Sequence, residues 1–306
     1  MENVTGLGFR VRRDRIGYRP VFALGNTLGR CPMACTFCSV QARSRTSPNE
    51  ARVRFEAQLC AYLPYLDGPY HPLIYNQGNV TNPAEFPHEL LDHVLERFRS
   101  DTRVRFVSVN SRERFATPDL LRWMADKCLP FPVHFIFGQE SFSLRTGDVL
   151  EKHVDGELGR FRDKLLPFNT KEPTFGLDVS LLYLPELHLR PGETRSDQPD
   201  AGIVGLERDL RTLLLEVLPD IPLEVNIHPF TRVAGLPWDD VDLARLVGAL
   251  PRLQKVVNEH GLCPRASTAN LFLGAEGIGY DTPTWRMALM RWRKAIDTFN
   301  VTGRLP

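Results

Sequence analysis

The chain has 306 residues and a formal net charge of +1, from 38 Lys+Arg against 37 Asp+Glu. That balance excludes a generally basic nucleic-acid binder, and the 42% hydrophobic and 25% charged fractions exclude wholesale disorder. No apolar run is long enough to span a bilayer, and the N-terminus MENVTGLGFRVRRDR lacks the apolar core of a secretory signal, so a cytoplasmic protein is expected.

In chain order, β-like runs rich in Val, Ile, Phe and Leu fall at 21–24, 72–77, 103–110, 133–138, 174–184 and 222–228. Helical patterns fall between and after them, at 50–66, 85–99, 118–127, 142–166, 200–218, 239–260 and 283–299. The clearest is 85–99, where Phe86, Leu90, Leu91, Val94, Leu95 and Phe98 recur at helical spacing. Strand–helix repetition predicts a parallel sheet with right-handed crossovers. The fold class expected is α/β, an incomplete (β/α)6 TIM-like barrel with a C-terminal helical extension. Its expected domains are an N-terminal extension at 1–20, a barrel at 21–260 and a C-terminal extension at 261–306. The segment 190–199 reads as a polar surface loop.

Barrel chemistry gathers at the C-terminal ends of strands. Several of the runs end in polar residues: Asn76 and Gln77, Ser108 and Asn110, Gln139 and Glu140, Asn226 and His228. The first run leads into Cys31-Pro-Met-Ala-Cys35-Thr-Phe-Cys38, while Cys60, Cys128 and Cys263 stand apart. Three thiolates on a short loop suit zinc or an iron–sulfur cluster. A structural zinc site wants a fourth protein ligand, and no Cys or His lies between Cys38 and Cys60. Cys60 and Cys128 fall in helical patterns and read as core.

The C-x3-C-x2-C spacing after a first strand, with Phe37 before the last cysteine, resembles the radical SAM superfamily over about residues 20–235. The resemblance implies a 4Fe–4S cluster held by Cys31, Cys35 and Cys38, with S-adenosylmethionine on the iron left open. It further implies reductive cleavage to a 5′-deoxyadenosyl radical and an electron donor such as flavodoxin or ferredoxin. Gln77-Gly78-Asn79 stands where relatives carry a Gly-Gly-Glu type motif for the methionine amino group, and departs from it in bringing no charge. By the same resemblance Ser108, Asn110 and Glu140 contact ribose and carboxylate, and Phe37 and the strand end at His228 pack against adenine.

On the substrate side, alternate residues share a face. Glu224, Asn226 and His228 form one polar row and Asp178 and Ser180 another. Asp178, Glu224 and Asn226 are the candidate substrate ligands, and with Glu276 they suit a cationic molecule. Cys263 is the candidate hydrogen-atom donor, a position that resembles radical SAM epimerases of aminoglycoside type. The function expected is hydrogen abstraction from a polar small molecule, with epimerisation of a sugar-like carbon as the specific form. Modification of a peptide or RNA, and a non-catalytic iron–sulfur or zinc module, are the competing readings; neither a membrane nor nucleic acid is the expected partner. Arg10, Arg12, Arg13, Arg15 and Arg19 read as a solvated basic edge. Gly274, Gly277 and Gly279 read as a turn, and Trp285 and Trp292 as helix packing.

Overall fold

A computed structural model describes residues 11–29, 31–33, 35, 45–76, 78–143, 145–146, 150, 152, 154, 156–170, 172–217, 220–231, 240–260, 269–274 and 283–306. Eight strands are present among them: β1 (Val11–Arg13), β2 (Tyr18–Ala23), β3 (Leu73–Tyr75), β4 (Val107–Asn110), β5 (Val133–Glu140), β6 (Phe175–Tyr183), β7 (Leu223–Pro229) and β8 (Ala269–Leu273). The helices are α1 (Pro48–Tyr62), α2 (His88–Arg99), α3 (Pro118–Asp126), α4 (Glu157–Leu165), α5 (Ala201–Val217), α6 (Leu243–His260) and α7 (Pro283–Thr302).

Sheet order follows chain order. β1 and β2 form an antiparallel hairpin, and the pairings resolved from β2 onward are parallel. Parallel strands taken in sequence with helical crossovers are the connectivity of an incomplete TIM-like barrel, and α7 supplies the expected C-terminal helix. Two strands add to the six read from sequence. β1 pairs within the N-terminal stretch, and β8 joins β7 within the C-terminal one. None of the described helices is long and apolar enough to cross a membrane.

The chain divides into two compact units. The first takes in Met1–Met33, Val40–Phe137 and Asp163–Gly176. Here α1 starts at a capping box: Ser47 accepts from the Glu50 backbone, and the Glu50 side chain accepts from the Ser47 backbone. Its inner face lays Tyr62 and Gln58 onto β2, donating to the Val21 and Ala23 carbonyls at 2.5 and 3.2 Å. Phe22, Phe55, Tyr62 and Phe98 form an edge-to-face and tilted aromatic cluster between β2, α1 and α2. Cys60 lies on the opposite face of α1 and is exposed, as is Cys128 just past α3. Both were expected in the core. The inward positions of α1 belong to Ala51, Phe55, Leu59 and Tyr62.

The N-terminal ends of the strands in this unit carry a buried ring stack. Asp14, in the β1–β2 turn, lies 2.9 Å from His71 Nε2. The His71 ring meets Phe106 at 4.7 Å, and Phe106 stacks on His134 at 3.9 Å. The edge of His134 fills the space over Gly176, where a Cβ would meet the ring at 2.4 Å.

The second unit takes in Ala34–Ser39, Gly138–Arg162 and Leu177–Pro306. β6, β7 and β8 are its sheet. Asn300 of α7 bonds both the N–H and the carbonyl of Leu273, which fastens the last helix to β8. Trp285, Ile296 and Phe299 are buried along α7.

Candidate active site

In the first unit the C-terminal ends of β2, β3 and β4 are laced together. The cysteine-bearing segment leaves β2 through Gly25, whose φ of +85° and contact with Thr46 Oγ1 exclude any side chain. Asn26 then closes that segment on itself. Its carbonyl accepts from the Gly29 and Thr46 N–H groups, both at 3.1 Å, so the two ends of the loop meet on one residue. Its side-chain oxygen accepts from Leu28 at 2.8 Å. Cys31, in this unit, and Cys35, in the second, are each half-buried. Arg114 Nη2 reaches Met33 Sδ at 2.9 Å. Cys38 and Phe37 lie outside the described residues, and so does Gln77. Among the described residues no group of three metal-ligating side chains occurs.

The segment after β3 is organised by a carboxylate that sequence reasoning missed. Glu85 is fully buried. Its Oε2 accepts from Asn26 Nδ2 at 2.7 Å and from the Asn79 N–H at 3.0 Å. Its Oε1 accepts from Asn79 Nδ2 and Asn82 Nδ2, both at 2.8 Å. All four donors are neutral amides, and among the described residues Glu85 has no cationic partner. Gly78 passes so close that a Cβ would stand 1.8 Å from Glu85 Oε2. Glu85 therefore ties the base of the cysteine loop to the expected methionine-binding loop. The sequence offered one signal: Asn26, Asn79 and Asn82 share a single acidic residue within reach of the post-β3 turn.

Beside this network, β4 brings Ser108 and Asn110. The Val80 N–H donates to the Asn110 carbonyl at 2.9 Å, and Thr81 and Ser111 share a 2.7 Å hydroxyl contact. Three buried polar atoms here have no partner among the described residues: Asn76 Nδ2, Ser108 Oγ and Asn110 Oδ1. Buried polar atoms are rarely left unsatisfied, so three at adjacent strand ends fit a ligand carrying both donors and acceptors. They suit a polar ligand of the nucleoside and amino-acid kind, and Cys31 and Cys35, the two described thiols of the loop, suit a soft metal centre.

In the second unit, Glu140 ends β5 in the left-handed region, at φ +63°. Its Oε1 pairs with Lys152 Nζ at 2.6 Å, both groups buried, while Oε2 has no partner among the described residues. It does not start a helix. The residue after it, Ser141, donates to Asp209 Oδ2 of α5 at 2.5 Å. Burial pushes the Asp209 carboxyl up to about 6, against the Ser141 and Phe142 hydrogen bonds. His188, 3.7 Å from the same oxygen, is pushed down to about 4 by burial, with Arg208 adding to it.

The expected substrate row assembles across three strands. Asp178, Glu224 and Asn270 are register partners on β6, β7 and β8. Asn226 Nδ2 donates to Asp178 Oδ1 at 2.5 Å, and Asn270 Nδ2 to Glu224 Oε1 at 3.1 Å. Asp178, Glu224 and Asn226 are all buried. His228 is half-buried one row on, its ring against Gly274, where a Cβ would meet Nδ1 at 2.7 Å. Cys263 and Glu276 lie outside the described residues.

No family model matches the chain, and no curated protein matches it. Among solved structures the fold is similar to a radical SAM methyltransferase from Sphaerobacter thermophilus, at 12% identity and a TM-score of 0.51. The match covers 85% of this chain and 70% of that one. A tagged anSMEcpe with bound AdoMet matches at 8% identity and a TM-score of 0.47, over 81% of this chain and 62% of its own. The first likeness shows a shared fold.

Proposed function

We propose that this chain is a radical SAM enzyme acting on a polar small molecule. The observation that carries the reading is the base of the cysteine-bearing segment, anchored by Asn26 and Glu85, beside Asn76, Ser108 and Asn110 atoms that have no partner among the described residues. Cys31, Cys35 and Cys38 would hold a 4Fe–4S cluster, fed by an external electron donor such as flavodoxin or ferredoxin. When bound, the reduced cluster and S-adenosylmethionine supply a carbon-centred radical that takes a hydrogen atom from the substrate.

The chain's own residues bind and orient. The loop at Gly78 and Asn79 receives the amino-acid end of the nucleoside, with Gln77 beside it. Asn110 and Ser108 offer an acceptor and a hydroxyl to its polar edge. Glu140 Oε2 accepts from a ribose hydroxyl while Lys152 holds the other oxygen. Phe37 and His228 flank the base. Asp178, Glu224 and Asn226 orient a cationic or hydroxylated substrate, because fixed geometry supplies much of the rate in a hydrogen transfer. The specific form we propose is epimerisation of a sugar-like carbon. Cys263 returns a hydrogen atom to the opposite face, leaving a sulfur radical that one electron and one proton from the external donor restore.

The test is anaerobic reconstitution with iron and sulfide, then reduction in the presence of S-adenosylmethionine. About four irons per chain and formation of 5′-deoxyadenosine are expected, with both lost in Cys31→Ala, Cys35→Ala and Cys38→Ala. Metal retention in any of these variants, or iron binding without 5′-deoxyadenosine, overturns the reading. Solvent deuterium in the product, lost in Cys263→Ala, tests the hydrogen donor.

A further inference from the structure

We infer that Glu85 supplies the negative charge which the Gly78–Asn79 loop lacks, and passes it to a ligand ammonium through the Asn79 side chain. The inference rests on the proposed function and assigns a positioning residue within it. Glu85 is 0% exposed, and its four hydrogen bonds all come from neutral amides. No cation faces it among the described residues, and a buried carboxylate without one is costly, so a positive charge brought by a ligand would complete the site. Both donor groups of Asn79, its backbone N–H and its Nδ2, face Glu85. The amide is planar, so Asn79 Oδ1 points away from the carboxylate. Donating to an anion polarises the amide and makes that oxygen a stronger acceptor.

Two neighbouring features favour a ligand at this place. Asn76 Nδ2 and Asn110 Oδ1 are buried and partnerless among the described residues, one a donor and one an acceptor. Gly78 leaves the backbone bare where a Cβ would strike both Glu85 Oε2 and Asn26 Nδ2. A zwitterionic amino-acid end offers the ammonium for Asn79 and the carboxylate for Asn76.

The test measures binding to the anaerobic, cluster-loaded protein by calorimetry, with two ligands. S-adenosylmethionine carries the ammonium; 5′-methylthioadenosine has the same nucleoside without it. Glu85→Gln should weaken S-adenosylmethionine by roughly tenfold to a hundredfold more than 5′-methylthioadenosine, the range of a hydrogen bond to a charged group. The charge-exchanged double variant Asn79→Asp/Glu85→Gln should bring S-adenosylmethionine back to within roughly threefold of wild type. It returns a carboxylate next to the ligand and a matching amide behind it. A purely structural hub would not be rescued, since a glutamine at position 85 still points an NH2 group at one of the other asparagine amides. Equal weakening of both ligands by Glu85→Gln, or no rescue in the double variant, overturns the inference. Wild-type protein that binds neither ligand overturns the proposed function itself.

Discussion

Ser141 Oγ donates a 2.5 Å hydrogen bond to Asp209 Oδ2, so α5 holds the first residue past β5 through a buried carboxyl group. The folded chain prefers that carboxyl protonated, because its value is raised to about 6 from 3.8. Its contribution to stability is therefore full below pH 4 and is lost as pH rises through 6. Asp209→Asn keeps an acceptor for Ser141 and cannot ionise. Across pH 4 to 8 in urea unfolding, wild type should lose about 3 kcal/mol relative to this variant. Parallel pH curves would show that Asp209 does not titrate in this range.

The ring stack predicts the opposite sign. Burial pushes His134 down to about 3, with His71 and Arg19 adding to it. The folded state binds it neutral, so its contribution is full above pH 6.5 and is lost as pH falls toward 3. His134→Leu should cost a constant amount at neutral pH but remove up to about 5 kcal/mol of acid-side loss. The acid midpoint, followed by tryptophan fluorescence, should move to lower pH in the variant.

Lys152 and Glu140 form a buried pair at the end of β5. Lys152→Met strands the carboxylate and should destabilise the protein by about 3–5 kcal/mol in denaturant titration. Glu140→Gln/Lys152→Met should recover most of that loss, since no charge is then left uncompensated.

Gly78→Ala places a methyl group where Glu85 Oε2 and Asn26 Nδ2 already sit, at 1.8 and 2.7 Å. The loop must shift as a unit. S-adenosylmethionine binding measured by calorimetry should fall at least about tenfold, from loss of one well-placed polar contact. Urea unfolding should also lose about 1–3 kcal/mol, because the buried Glu85 hub must give way to the added methyl group.

The strands were legible because their middles are apolar runs, and the helices because their buried faces recur at 3.6 residues. Leu90, Leu91, Val94, Leu95 and Phe98, read from spacing alone, are the buried face of α2. β8 was not legible, since Ala269–Leu273 is a short run whose partner, β7, lies 40 residues back. Glu85 was hidden for a different reason. It sits at the start of a helical pattern, where an acidic residue normally meets the positive end of the helix dipole. In the structure α2 starts only at His88, and Asn82, Pro83 and Ala84 turn Glu85 inward instead. The Glu140–Lys152 pair was hidden because Glu140 ends a strand while Lys152 falls in the stretch read as one helix over 142–166, and no i,i+4 spacing joins them.

Cys60 and Cys128 are exposed, whereas Cys31 and Cys35 are half-buried. Among the described cysteines, a dye that counts reactive thiols therefore meets these two whatever the state of the cysteine loop. Handled in air, those same two positions give the molecule handles for covalent cross-linking between copies, so Cys60→Ser/Cys128→Ser is the cleaner background for every assay of the remaining cysteines.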